Sequence, residues 1–331
     1  MNVIFQHKRF LWLLTTFMLV LISACEREDY VSLSAPEKPT IGVVVKMKEG
    51  DYWNTVRMGA EAAAKEFNVN LNFVAPDSES DITAQAELAD QVIKLGADAL
   101  VLAASDYMAL GQVVDQASYR QVPVISIDSE VGSTKVKGFV GSNPYVMGRT
   151  AGQKWAELTE GRGKVAVLNF VKGASNAEKR EEGLLDFLAQ YPHIEVSEIL
   201  YTNSDTDLAE RMTRELLERE ESWKRVDGII SLNAATSLGV ARAVAAIQPE
   251  HPFTVVAIDS TPELMGYVQD GWIQAAVVQN PFAMGYLGVR YAVEAMEGEP
   301  VPERVETDIK VVDLGNMFRL ENQKLLFPFV K

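Results

Sequence analysis

The chain has 331 residues, too many for one small core and suited to two domains. Hydrophobic residues make up 47% and charged residues 23%, the balance of a soluble globular protein. A formal charge of −15 argues against a basic face for nucleic acid or for docking on an anionic membrane, and says little about a small ligand.

At the N-terminus Lys8 and Arg9 precede an apolar stretch, residues 10–22, which is too short for a comfortable membrane span and has the length of a signal-peptide core. The stretch runs into Ile22-Ser23-Ala24-Cys25. This resembles the bacterial lipobox, with Ile22 where leucine is usual, and makes Cys25 the expected lipidation site. Cys25 is the only cysteine, so no intrachain disulfide is available, and a stray thiol just past a leader is the other reading. Two acyl chains on it would anchor the protein stably, where one would hold only marginally. Residues 26–39 are polar, charged and proline-bearing, as in a flexible tether. The expected N-terminal organisation is a lipoprotein signal peptide over 1–24 and a tether over 25–39.

Residues 41–45 are an apolar, β-branched run with the pattern of a strand buried on both faces. A polar turn, 46–51, leads to a helix predicted from about Trp53, with Val56, Ala60, Ala63, Ala64 and Phe67 on one face. The same alternation continues with strands over 71–74, 99–103, 122–127 and 137–140 and helices over 82–95 and 108–118. A second series has strands over 164–169, 195–200, 228–232, 254–258 and 273–279, and helices over 145–159, 177–190, 208–220, 236–247 and 262–268. A further helix over 281–296 precedes a strand near 307–312. Alternation of this kind implies parallel βαβ units, here as two similar α/β halves in tandem. Residues 314–331 show no pattern that places them.

Ligands of open α/β sheets bind outside the carboxyl ends of the strands. Tyr52 and Trp53 stand at such an end, and two adjacent aromatics there can face a ligand or plug the domain against its neighbour. Asp128, Asn143, Asn233, Asp259 and Gln279 also recur at strand ends, and Arg180 lies early in a helix. Each has an ordinary alternative role: Asp259 as a turn or helix cap, Asn143 before Pro144 as a turn former, Arg180 as one charge on a solvated face. Together they suit a polyol. Carboxylates accept from paired hydroxyls, arginine donates in a planar fork, amides do both, and aromatic rings cover the apolar face of a sugar.

From Ile41 to about Val312 the chain resembles the periplasmic sugar-binding proteins of the ribose/galactose type, which share their ligand-binding fold with LacI-like repressors. The resemblance is carried by IGVVVKMKEGDYWNTVRMGAEAAAKEF, ADALVLAASD, VPVISIDSE, FVGSNPYVMGRTAG, SNAEKREEGL, GIISLNAATSLGVARAV and VVAIDSTPELMGYVQDGWIQAAVVQNPFAMG, in that order. It implies two doubly wound parallel-sheet lobes joined by a three-strand hinge, with 40–142 and 280–308 in the N-terminal lobe and 143–279 and 309–331 in the C-terminal lobe. It also implies that Tyr52 and Trp53 stack on a sugar and that Asp128, Asn143, Arg180, Asn233, Asp259 and Gln279 bind its polar groups. Ribose binders carry arginine where Ser129 follows Asp128 and aspartate where Ala234 follows Asn233, and their first turn is mostly neutral where Lys46, Glu49 and Asp51 stand. These departures leave the sugar class in place and its identity open.

The function implied is a lipid-anchored, extracytoplasmic solute-binding protein, on the outer face of the cytoplasmic membrane or in the periplasm. It would act as a monomer delivering a monosaccharide or related polyol to an ABC importer. The alternative output is a membrane sensor histidine kinase. No cofactor, metal or nucleic acid is expected, and no enzymatic activity. The three histidines, His7, His193 and His251, suggest no catalytic triad or metal cluster, and Gly161-Arg162-Gly163-Lys164 lacks the spacing of a phosphate loop.

Overall fold

β1 (Thr40–Val44) lies between β2 (Asn70–Val74) and β3 (Ala99–Leu102), parallel to both, and Ile41, Val43 and Val44 are fully buried. Strands covered on both faces read as unbroken apolar runs, which is why they were legible in the sequence. The computed structural model describes residues 38–219 and 225–327. The expected leader and Cys25 lie outside the described residues.

The first sheet is completed by β4 (Val124–Ile127), β5 (Gly138–Gly141) and β11 (Arg304–Glu306), in the order β11-β5-β4-β3-β1-β2 with every pair parallel. The second contains β6 (Arg162–Asn169), β7 (His193–Tyr201), β8 (Gly228–Ser231), β9 (Thr254–Ile258), β10 (Ala275–Val278) and β12 (Lys310–Val312), in the order β12-β10-β9-β8-β6-β7. The two orders are the same if the strands are numbered within each sheet. The exception to parallel pairing is β12, antiparallel to β10.

Helices α1 (Asp51–Glu66), α2 (Ile82–Lys94) and α3 (Tyr107–Tyr119) connect strands of the first sheet. The second series holds α4 (Pro144–Leu158), α5 (Ser175–Leu188), α6 (Thr206–Leu217), α7 (Ala234–Ile247) and α8 (Pro262–Gln269). α9 (Pro281–Met296) follows the last parallel strand of the second sheet but packs on α1 and on the first sheet. The chain therefore passes between lobes three times: after β5, after β10 and between β11 and β12. The Ser142 and Thr307 hydroxyls, 2.9 Å apart, tie two of these crossovers together.

Each lobe builds one tight helix pair with reciprocal glycines. A Cβ on Gly59 of α1 would sit 2.0 Å from the Phe282 carbonyl oxygen, and one on Gly285 of α9 would sit 2.0 Å from that of Val56. In the second lobe the pair is α4 and α5. Gly148 faces the Arg180 carbonyl at 1.9 Å and Gly183 faces that of Tyr145 at 2.1 Å by the same measure. These approaches set the depth at which α1 and α5 present their first turns.

Three details depart from the sequence reading. α1 begins at Asp51, two residues before Trp53, because Gly50 takes φ +109° as its cap and Asp51 places an acid in the first turn. The strand expected near 307–312 is the shorter β12, and a short strand that was not expected, β11, precedes it in the other sheet, since the chain changes lobe near Thr307. The unplaced tail, as far as residue 327, extends the second lobe. Its helix α10 (Leu320–Leu326) and Met317 join the core formed by Val240, Val255, Leu264 and Val312.

Candidate functional site

A cavity of about 200 Å³ lies where the carboxyl ends of the two sheets face each other, small beside the roughly 300–1,000 Å³ common for ligand pockets. From the first lobe come Lys46 after β1, Tyr52 and Trp53 in the first turn of α1, Glu79 after β2 and Asp128 after β4. From the second come Phe170 after β6, Asn176 and Arg180 on α5, Asn233 capping α7 and Asp259 after β9.

The two aspartates occupy equivalent places. Each follows the fourth strand of its own sheet in order of sequence, each is buried, and each takes a left-handed backbone, φ +63° at Asp128 and +77° at Asp259. Non-glycine residues in that region are uncommon, and aspartate tolerates it better than most.

Asp128 is held from three sides. Tyr52 Oη donates to its Oδ1 at 2.7 Å, and Asn176 Nδ2 donates to its Oδ2 at 3.0 Å. Lys46 Nζ lies 3.1 Å from the same Oδ2. Burial, reinforced by the charges of Asp128 and Asp259, holds the Tyr52 phenol well above its ordinary value of 10.0, so it stays a donor. The Tyr52 and Trp53 rings meet edge to face at 5.0 Å.

Asp259 has a different setting. Gln279 Nε2 donates to its Oδ1 at 2.7 Å, and the backbone N–H of Ala234, at the start of α7, donates to its Oδ2 at 3.0 Å. Burial raises the Asp259 carboxyl above its ordinary 3.8, with Arg180 and the Gln279 bond opposing. Arg180 Nη1 donates to the Leu232 carbonyl at 2.7 Å and stands 3.9 Å from Asp259 Oδ2, while its buried Nε has no hydrogen-bond partner among the described residues.

Six of the eight residues expected in the site line the cavity: Tyr52, Trp53, Asp128, Arg180, Asn233 and Asp259. Gln279 stands behind the wall and aims Asp259. Asn143, expected at the ligand, is instead the cap of α4. Its Oδ1 accepts from Val146 N at 3.2 Å, its Nδ2 reaches Glu306 Oε1 at 3.4 Å, and it lies outside the cavity lining at the first crossover. Glu49 is exposed. Sequence reasoning did not assign Lys46, Glu79, Phe170 or Asn176. Asn176 could have been found, because it lies four residues before Arg180 on the same helix face.

The arrangement offers carboxylate lone pairs, the Arg180 Nε–H and three aromatic side chains, Tyr52, Trp53 and Phe170. Such a set binds a small polyhydroxylated molecule with alternating polar and apolar faces.

Residues 41–300 match the family model of the periplasmic binding protein domain. A ribose import binding protein of Haemophilus influenzae is 27% identical over 282 residues, 85% of this chain and 94% of that protein. A D-ribose/D-allose-binding protein of Pseudomonas aeruginosa is 26% identical over 310 residues, 88% of this chain and 95% of that one. Among solved structures, a carbohydrate transporter solute-binding protein from Agrobacterium radiobacter, in complex with D-arabinose, superposes with a TM-score of 0.84 at 27% identity, covering 88% of this chain and 100% of its own.

Proposed function

The chain belongs to the periplasmic binding protein family, and we propose that it captures a monosaccharide or related polyol between its lobes and delivers it to an ABC importer. The observation that carries this is the placing of Asp128 and Asp259, one from each lobe, at equivalent strand ends of one cavity that Arg180 and Trp53 also line. Ligand contacts from both lobes favour the closed arrangement over the open one, which is the condition for a ligand to drive closure. The named relatives are import and transporter proteins, which favours the importer over a sensor kinase as recipient.

We assign residues 40–142 and 280–308 to one lobe and 143–279 and 309–331 to the other, hinged at the three crossovers. Strand membership of the two sheets supports these limits. The protein works in the cell envelope as a monomer, held by lipid on Cys25. The support for that anchor is the leader pattern and the lipobox-like Ile22-Ser23-Ala24-Cys25. It binds and does not turn over its ligand; detectable hydrolysis of a glycoside by the pure protein would overturn that.

The test is a thermal-shift screen of the chain from Glu26 onward against pentoses, hexoses, inositols and small diols. A ligand at 100 times its Kd stabilises by about 2.7 kcal/mol, which such a screen detects. A shift with one or a few sugars is the expected result, and silence across the panel refutes the sugar reading.

A further inference from the structure

Lys46 has no exposed surface, yet it lies on the wall of the cavity. A lysine ammonium carries three donors and no acceptor. All three have protein oxygens in reach: Asn176 Oδ1 at 3.0 Å, Asp128 Oδ2 at 3.1 Å and Glu79 Oε1 at 3.4 Å. The ammonium is thus hydrogen-bonded to Asn176 and ion-paired with two carboxylates, so its donors are engaged within the protein. The charge is also matched within the protein, since a buried cation needs paired anions and here it has two.

The partners come from both lobes. Glu79 and Asp128 share the first lobe with Lys46, whereas Asn176 belongs to α5 of the second. Asn176 engages both signs of charge, accepting from Lys46 with Oδ1 and donating to Asp128 Oδ2 with Nδ2. Turned over, its amide would press an NH2 group against the ammonium, so the orientation follows from the pair it grips. A second link runs beside the first. Ser204, from the second lobe, donates to Glu79 Oε2 and itself accepts from Asn233 Nδ2 at 2.9 Å. The ring of Phe170, also from the second lobe, has its centre 5.8 Å from Lys46 Nζ.

We propose that Lys46 is a positioning residue that holds the lobes together beside the ligand and does not itself contact it. This rests on the sugar-binding reading of the same cavity. The cross-lobe bonds exist only when the lobes meet, so their loss falls on the closed arrangement. With Lys46 removed, closure brings Asp128 and Glu79 under cover with no cation between them. When the lobes part, water solvates both carboxylates and the loss vanishes.

The test uses Lys46→Met, which keeps the length of the side chain and removes its charge. D-ribose and D-arabinose, epimers at one carbon, are the probes, read by calorimetry and stopped-flow fluorescence. Small-angle scattering follows lobe closure in the sugar-free protein. Every sugar bound by the wild type weakens by a common factor of about tenfold or more, seen as faster release. The sugar-free protein shifts toward open lobes, and Glu79→Gln added to Lys46→Met restores part of the affinity. Asn176→Ala, made on the other lobe, reproduces the effect should Lys46→Met fold poorly, and the two changes together cost less than their sum. A loss confined to one epimer means that Lys46 touches the sugar, and it overturns the proposal. Unchanged lobe closure in both single variants also overturns it. If the wild type binds no sugar, the functional reading fails, while the scattering comparison still decides the role of Lys46.

Discussion

Tyr52→Phe isolates one hydrogen bond at the centre of the first lobe. The substitution keeps the ring that packs edge to face on Trp53 and removes the hydroxyl that donates to Asp128 Oδ1 at 2.7 Å. Asp128 is 5% exposed with the lobes as they stand here, so the cost is largest in this arrangement and smaller where parted lobes let water reach the carboxylate. A hydrogen bond to a charged group contributes about 1.5–3 kcal/mol, and the ring adds no cavity term beyond one oxygen. For a chain of this size that is a fall in melting temperature of about 3–6 °C. The measurement is thermal unfolding of the ligand-free protein by circular dichroism, for Tyr52→Phe, Asp128→Asn and the double variant. Because the bond joins these two residues, the double variant costs less than the sum of the singles. The phenol is raised above 10.0 in the folded protein, so folded and unfolded chains bind the same proton below that pH. The difference between wild type and variant is therefore flat to about pH 10 and shrinks above it, where the unfolded tyrosine ionises first. A Tyr52→Phe cost within about 0.5 kcal/mol, or strict additivity with Asp128→Asn, refutes the reasoning.

Asp259→Ala and Arg180→Ala each abolish measurable sugar binding in calorimetry while leaving the far-ultraviolet spectrum unchanged; normal binding by both would dismantle the site. Trp53→Ala weakens every bound sugar by a similar factor, and a loss confined to one sugar would give Trp53 a role in selectivity instead. Burial raises the Asp259 carboxyl above 3.8, so the folded protein holds that proton more tightly than the unfolded chain. Wild type therefore gains stability relative to Asp259→Asn as pH falls through the folded value, with the gain complete below 3.8; a flat or opposite slope in urea melts refutes this. Gly148→Ala drives a methyl group into the Arg180 carbonyl, 1.9 Å from the ideal Cβ. It costs about 1–3 kcal/mol by overpacking and weakens sugar binding through the displaced α5, whereas an exposed control, Gly266→Ala with open space around it, leaves binding unchanged.

The strands were legible because both faces of each sheet are covered, so that runs such as Val43 to Val45 or Val255 to Ile258 are apolar without a break. The tail was not. It buries Met317 and Leu326 but exposes Leu314, Phe318 and Leu320, so its apolar residues carry no period that points to a core. Asp128 and Asp259 stood out because each directly follows a buried strand at a carboxyl end, where ligands of open α/β sheets bind, although either could have been only a turn residue. Asn143 misled because asparagine before a proline at the first helical position is both a helix cap and a ligand-type residue, and here the cap is its observed role. Glu79 had no signal at all. Its meaning comes from Lys46 in the same lobe and from Ser204, 125 residues away, and no local pattern announces such partners.

The absence of arginine after Asp128 looked like the loss of a cation from the pocket, and the structure shows where charge returns. Ser129 turns its hydroxyl to the Ala104 carbonyl at 2.9 Å, away from the role an arginine would take. Lys46 reaches Asp128 from the end of β1 instead. The charge balance is thus restored by an ammonium that already pairs with Glu79 and Asp128 and hydrogen-bonds Asn176. Arg180, which lines the same cavity beside Asp259, has a buried Nε without a hydrogen-bond partner among the described residues, and the carboxylates there still have lone pairs to offer. Beside Asp128 a ligand hydroxyl finds an acceptor and must donate; near Arg180 it can accept. A sugar whose ring oxygen faced Asp128 would set lone pairs against a carboxylate already held by Tyr52, Asn176 and Lys46, so the proposed site would favour the orientation that brings a hydroxyl there.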